Sequence, residues 1–268
     1  MATRPGWRHS LFALANRLHL QNQHETSAHV ALILDTKPTP WALLVDDVSR
    51  VNEIARENVY PLPAVLVPGE GSFFSGILQL DSVFRLMLSP ESMGVTAAPK
   101  VNAPRVESSA GGKKGLSAKQ KRKRRVMCFD VGARWSGGDV SIGLRVTQVA
   151  EVFNRPILLE VPGSPSYVLG LTSWRSMPVP VVDLPQLLGL EKQGAEGLTR
   201  LVIVRGATES KLLGFPVKTS VTSMGLPIPD SRPVHGIDLL GGLISGGVEL
   251  ESGTLIIPNI EKITSPNG

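Results

Sequence analysis

The segment VVDLPQLLGLEKQ (181–193) decides how this chain is read, because the chain writes it twice. Displaced by 170 residues, it lies over LFALANRLHLQNQ (11–23): Leu14 falls on Leu184, Leu18 on Leu188, Leu20 on Leu190 and Gln23 on Gln193. The phrase has a physical logic. Pro178 and Pro180 just before it suit a strand only where an N–H is not needed by a neighbour. Asp183 ahead of Leu184 suits a helix N-cap, its carboxylate accepting backbone N–H groups. LPQLLGL (184–190) is apolar at helical spacing and stops at Gly189, so it predicts one or two turns of helix, with RLHL (17–20) as its partner.

Reading outward, the same displacement places VALIL (30–34) on RLVIV (200–204). After a shift of two residues, ALLVDDVSRV (42–51) meets GFPVKTSVTS (214–223). The original displacement returns for FFSGILQLDS (73–82) over LISGGVELES (243–252), with Ser75, Gly76, Leu80 and Ser82 identical to their counterparts, and Glu91 meets Glu261. An internal repeat of this length marks two copies of one domain. The copies are unequal: 126–180 has no counterpart ahead of the first, which opens near its middle. The sequence divides into a partial first copy (1–94), a linker (95–125) and a complete second copy (126–265).

Hydrophobic residues are 42% of the chain and charged ones 19%, enough to bury a core. Aromatics are scarce, so Val, Leu and Ile must fill it. With 27 Gly and 21 Pro separating short apolar runs, the pattern is all-β with short helices. Strands are expected at VMCFDV (126–131), SIGLRV (141–146), PVPVVDL (178–184), RLVIV (200–204), LLGFPV (212–217) and GTLIIP (253–258). No run of about 18 apolar residues is long enough for a membrane helix, and Asn16, Arg17 and His19 interrupt the N-terminal apolar stretch that a signal peptide would need. The lone Cys128 admits no internal disulfide and no multi-thiolate zinc site; a buried thiol in a reducing cytoplasm is the expectation.

The net charge of +5 comes from one place. Residues 113–125 hold Lys113, Lys114, Lys119, Lys121, Arg122, Lys123, Arg124 and Arg125 and no acid; without them the balance is slightly negative. The preceding residues are rich in Ala, Pro, Ser and Gly, the composition of a disordered linker. Three readings of the basic run stay open. It is a solvated linker, a patch for anionic lipid or an acidic partner, or a nucleic-acid contact that lacks interleaved aromatics for stacking.

The second copy carries the phrases that name a family. VTQVAEVFN (146–154) is an edge-like Val-Glu-Val segment, followed by a Pro-containing loop, then Gly170-Leu171-Thr172-Ser173-Trp174-Arg175-Ser176, then Pro180-Val181-Val182-Asp183-Leu184. In the first copy WALLVDDVSRVNEI (41–54) has a Val-Asp-x-Val phrase. This resembles the CheW-like domain of bacterial chemotaxis adaptors over 126–265 and roughly 10–94. The resemblance implies paired SH3-like five-stranded β-barrel subdomains, in tandem with a partial second copy. It also implies docking to a CheA-type histidine kinase and to methyl-accepting chemotaxis receptors, in the cytoplasm beside membrane receptor arrays. The family's contact surface maps onto Arg175 and Gly170 and, more loosely, onto Val149, Glu151 and Val152. Trp174 beside Arg175 has two readings, a core side chain or an exposed aromatic–Arg anchor of the kind that dominates interfaces; the resemblance favours the anchor. Ser176 stands where the family usually has Gly, and Trp174 where Leu is common, which puts the partner set in question. The missing front half of the first copy offers self-association through open strand edges.

Catalytic patterns are missing. His9, His19, His24, His29 and His235 form no i, i+4 metal pair, and no HExxH motif or Cys/His cluster occurs. GGKKGLS (111–117) lacks the spacing of a phosphate loop, and no nucleophile elbow accompanies a triad. The expectation is a non-enzymatic scaffold without cofactor or metal, with a nucleic-acid- or anionic-surface-associated protein acting through 113–125 as the alternative.

Overall fold

The computed structural model describes residues 11–18, 30–34, 41–49, 51–67, 73–93, 124–154, 156–192, 200–206, 208, 211–218, 221–226, 232–234 and 242–264. The first repeat contains β1 (Leu11–Ala13), α1 (Leu14–Arg17), β2 (Val30–Leu34), β3 (Trp41–Val45), β4 (Val59–Pro61), β5 (Phe74–Leu80), β6 (Val83–Leu88) and α2 (Pro90–Met93). The second begins with β7 (Arg124–Trp135), β8 (Gly138–Arg145), β9 (Val149–Asn154), β10 (Val168–Trp174), β11 (Met177–Val182) and α3 (Leu184–Leu187). It continues with β12 (Glu191–Lys192), β13 (Arg200–Arg205), β14 (Leu212–Pro216), β15 (Thr222–Leu226), β16 (Arg232–Pro233), β17 (Ile244–Leu250), β18 (Gly253–Pro258) and α4 (Ile260–Thr264). The fold is all-β with short helices, as the Gly- and Pro-punctuated apolar runs require.

Strand pairing reproduces the repeat, including its two-residue shift. In the first repeat Ala31 faces Leu44 and Ile33 faces Ala42 across antiparallel β2 and β3. In the second, Leu201 faces Pro216 and Ile203 faces Gly214 across β13 and β14. The first member of each pair moves by 170 positions and the second by 172, so the shift falls in the connection between the strands. Parallel pairing follows suit, Leu11 with Ala42 in one repeat and Val181 with Gly214 in the other. The first repeat thus holds two three-stranded sheets, β1-β3-β2 and β4-β5-β6. Their counterparts are the middle of a five-stranded sheet, β10-β11-β14-β13-β9, and one flank of a seven-stranded sheet, β12-β7-β8-β18-β17-β16 with β15 on β7.

Several expectations shift. The first helix is Leu14–Arg17 rather than RLHL (17–20), because the displacement that governs α3 also governs α1. Arg124 and Arg125, read as the end of the basic run, open β7 and pair with Leu226 and Gly225. The Val45-Asp46-Asp47-Val48 phrase leaves the sheet: β3 ends at Val45, Val48 is 48% exposed and Val51 is 98% exposed. The strand at Val51's counterpart, Ser223, exists because it pairs with Met127 of β7; no such neighbour lies beside Val51 among the described residues. Residues 94–123, holding most of the linker and of the basic run, lie outside the described residues, as do all five histidines.

Asp183 caps α3 as expected, accepting the Gln186 N–H at 3.2 Å, and its other oxygen pairs with Lys192. Pro178 and Pro180 sit within a strand flanked on both sides, opposite Ser173 and Leu171. A two-residue turn makes Trp174 and Met177 the closing hydrogen-bonded pair, so the prolines fall at the intervening positions and remove nothing from the β10 ladder. The main core runs through both repeats, with Leu66, Ile77 and Met93 of the first joining Phe129, Leu184, Ile260 and Ile263 of the second.

Candidate functional site

The β10–β11 hairpin carries the candidate site. Its turn is the pair Arg175-Ser176, with φ of 51° and 63°, the two positive values of the type I′ turn that matches the twist of a hairpin. Gly170 lies outside this turn: Gly170 to Trp174 is strand. Gly170 closes a register irregularity between Val168 and Gly170, with φ of 139°. A Cβ there would stand 2.5 Å from the Leu159 carbonyl oxygen, which accepts the Leu171 N–H. Glycine is required because the 159–160 backbone crosses too closely for any side chain. The residue shapes the hairpin from within and offers a partner no side chain.

Trp174 is buried, 7% exposed, so the exposed-anchor expectation is corrected. Its ring packs with Val179, Ile203 and Leu212 in a second, smaller core that Ala150, Phe153 and Met177 border. Burying an indole N–H without an acceptor is costly, and Glu151 Oε2 supplies one here at 2.9 Å. The same oxygen accepts from Arg175 Nη2 at 3.2 Å, while the Arg175 guanidinium lies 4.6 Å from the centre of the Trp174 ring. Arg175 stays outside, its side chain 66% exposed, held by a carboxylate on one side and an aromatic face on the other.

Glu151 reaches this position through a bulge in β9. Glu151 faces Ile203 and Val149 faces Val204, leaving Ala150 without a partner. The extra residue reverses the phase of the strand. Val149 and Val152 are half-buried against the main core, while Ala150, Glu151 and Phe153 serve the opposite face with Trp174. The structure therefore joins Glu151, Trp174 and Arg175 into one unit and sets Val149 and Val152 behind it.

Sequence reading missed Tyr60, of the first repeat. Its hydroxyl lies within donating distance of the Ser176 carbonyl oxygen, 2.9 Å, and of Gln79 Oε1, 3.1 Å. Nothing in a strand residue 116 positions away signals that contact. Among the described residues no cluster of His, Cys, Asp or Glu could hold a metal ion, and no helix is long and apolar enough to cross a membrane. Arg125, at the end of the basic run, is tied to Ser223 at 2.7 Å.

Comparison with known proteins follows the same division. The model of the CheW-like domain family matches residues 5–96 and again 125–266. Protein FrzA of Myxococcus xanthus is 28% identical over 120 residues, which are 45% of this chain and 70% of FrzA. Chemotaxis protein CheV3 of Helicobacter pylori is 26% identical over 125 residues, 45% of this chain and 40% of CheV3. The scaffolding protein TtCheW from Thermoanaerobacter tengcongensis superposes with a TM-score of 0.42 at 22% identity, over 55% of this chain and 95% of TtCheW. With both of its repeats matched by that one family model, the chain belongs to the CheW-like domain family.

Proposed function

We propose that this chain is a non-enzymatic adaptor of chemotaxis-type signalling, coupling chemoreceptors to a CheA-type histidine kinase through the Arg175 hairpin tip. The observation that carries the reading is the Glu151–Trp174–Arg175 unit, in which one cation is oriented at a hairpin tip and left outside while its supports are buried or half-buried. A preorganised Arg on a rigid strand pair loses little conformational freedom on binding, which is what an interface hot spot needs. Membership of the CheW-like family supports the signalling assignment. In this role the protein works in the cytoplasm beside membrane-embedded receptors and acts by position.

The test is capture of a CheA-type kinase and of receptor cytoplasmic fragments by the full chain. Arg175→Ala removes the cation without setting a second carboxylate against Glu151. It is expected to weaken kinase capture at least tenfold with the melting temperature nearly unchanged, since an exposed ion pair contributes at most about 1 kcal/mol. Full capture by the variant would sink the hairpin-tip reading. Retention of DNA by the wild-type chain, with no kinase bound, would favour the basic segment 113–125 instead.

A further inference from the structure

The two repeats are not merely strung together. Three contacts seat the sheet β4-β5-β6 and its flanking turn on the second repeat. Tyr60 meets the Ser176 carbonyl at the hairpin tip. The Phe73 ring lies where a side chain at Gly163, in the loop before β10, would touch it at 3.6 Å. The 3-10 turn Ala64–Leu66, with Val65 and Leu66 buried, packs against α4. Apolar burial supplies most of the attraction, and the Tyr60 hydroxyl fixes the position of the tip.

The docking residues belong to the first repeat alone. Val234 donates its N–H to Gly247, the counterpart of Ile77, so Val234 occupies the place of Tyr60 in the second repeat. Glu249 stands for Gln79 and Thr254 for Phe84, whose ring meets Tyr60 edge-on at 6.1 Å. The aromatic pair and its amide neighbour are thus absent from the copy that has no hairpin tip to hold.

We propose that the first repeat is the resident occupant of the second repeat's hairpin-tip surface, so that an outside partner reading Arg175 meets Tyr60 beside it and must displace it. Covalent attachment makes the docking intramolecular, where effective concentrations reach the order of millimolar, so a partner of ordinary affinity is attenuated rather than excluded. This extension rests on the adaptor reading, and its test separates the two.

In the full chain, cysteines replace Gln79 and Ser176, and a short bismaleimide is added at submicromolar protein. Cys128 is buried and contributes no competing site. Intramolecular cross-linking is expected, and is expected to fall severalfold when Phe73→Asp is added. No cross-link in the starting chain, or one indifferent to Phe73→Asp, overturns the docking. Kinase affinity is then compared among the wild type, Tyr60→Ala, Tyr60→Phe and the cross-linked chain. Tyr60→Phe keeps the ring and removes only the hydroxyl, so it guards against loss of folding. Roughly three- to tenfold tighter binding by the Tyr60 variants is expected for the loss of one hydrogen bond and its packing, with binding lost in the cross-linked chain. Equal affinities throughout overturn the competition. If no form binds kinase, the adaptor reading fails while the cross-link still decides whether the first repeat occupies the tip.

Discussion

The Trp174 indole N–H donates to the Glu151 carboxylate at 2.9 Å, and this bond lets a large aromatic lie buried directly under the hairpin tip. Glu151→Leu would take the acceptor away from a part-buried indole N–H. The expected cost is about 1–3 kcal/mol, read as a lower urea midpoint with an unchanged slope. Glu151→Gln retains a carbonyl oxygen for the indole and is expected to lose less than half as much. Equal losses in the two variants would mean that the charge, and not the acceptor, holds the unit together.

Arg175 and Ser176 both carry positive φ, a conformation that an L side chain adopts at a cost of about 1–2 kcal/mol. Ser176→Gly removes that cost at the second position without touching Arg175. We expect a stabilisation of about 0.5–1 kcal/mol in thermal or chemical unfolding. A destabilised variant would indicate that the Ser176 side chain makes a contribution larger than the strain it carries.

Gly170 has the opposite prospect. Alanine there meets both an unfavourable φ and the Leu159 carbonyl at 2.5 Å, and backbone cannot retreat as a flexible side chain would. Gly170→Ala is expected to cost upward of about 2 kcal/mol and to release the Leu159–Leu171 bridge, read as faster amide exchange at both N–H groups. Wild-type exchange at Leu159 and Leu171 in the variant would contradict the close approach.

Burial pushes the Cys128 thiol, and the Tyr167 hydroxyl, above their ordinary values. A group whose folded pKa is raised stabilises fully below its unfolded pKa, and that contribution is lost as pH rises through the folded value. Stability is therefore expected to decline from about pH 8.5 upward, where an unfolded thiol is half ionised. Cys128→Val is expected to flatten the first part of that decline in urea titrations between pH 7 and 10. An unchanged slope would assign the alkaline loss to other groups.

The reach of sequence reading follows from which interactions are local. Apolar runs such as RLVIV and GTLIIP announce strands by composition, and the repeat, with its two-residue shift, marks β2 and β3 as equivalents of β13 and β14. Within Gly170–Ser176 the sequence does not show where the hairpin closes, because Gly170 and Ser173 look like turn residues while Arg175-Ser176 does not. The deciding facts were the crossing of Leu159 and the two-residue closure at Trp174 and Met177, neither visible in composition. Trp174's burial depends on Glu151, delivered by a bulge at Ala150 that no alternation pattern marks. The Tyr60 contact joins residues of different repeats and had no signal at all.

The parallel pairing of β18 with β8 sets Thr254 against Val140 and Ile256 against Ile142, across most of the second repeat. During synthesis β8 can meet β7 as soon as their hairpin emerges, but its other edge stays bare until the Gly253–Pro258 strand has left the ribosome. Pairing over such a separation makes sheet closure a late and slow event. A nascent chain stalled before Gly253 would display an apolar, unpaired strand to its neighbours, which makes this edge the natural point of chaperone dependence during expression.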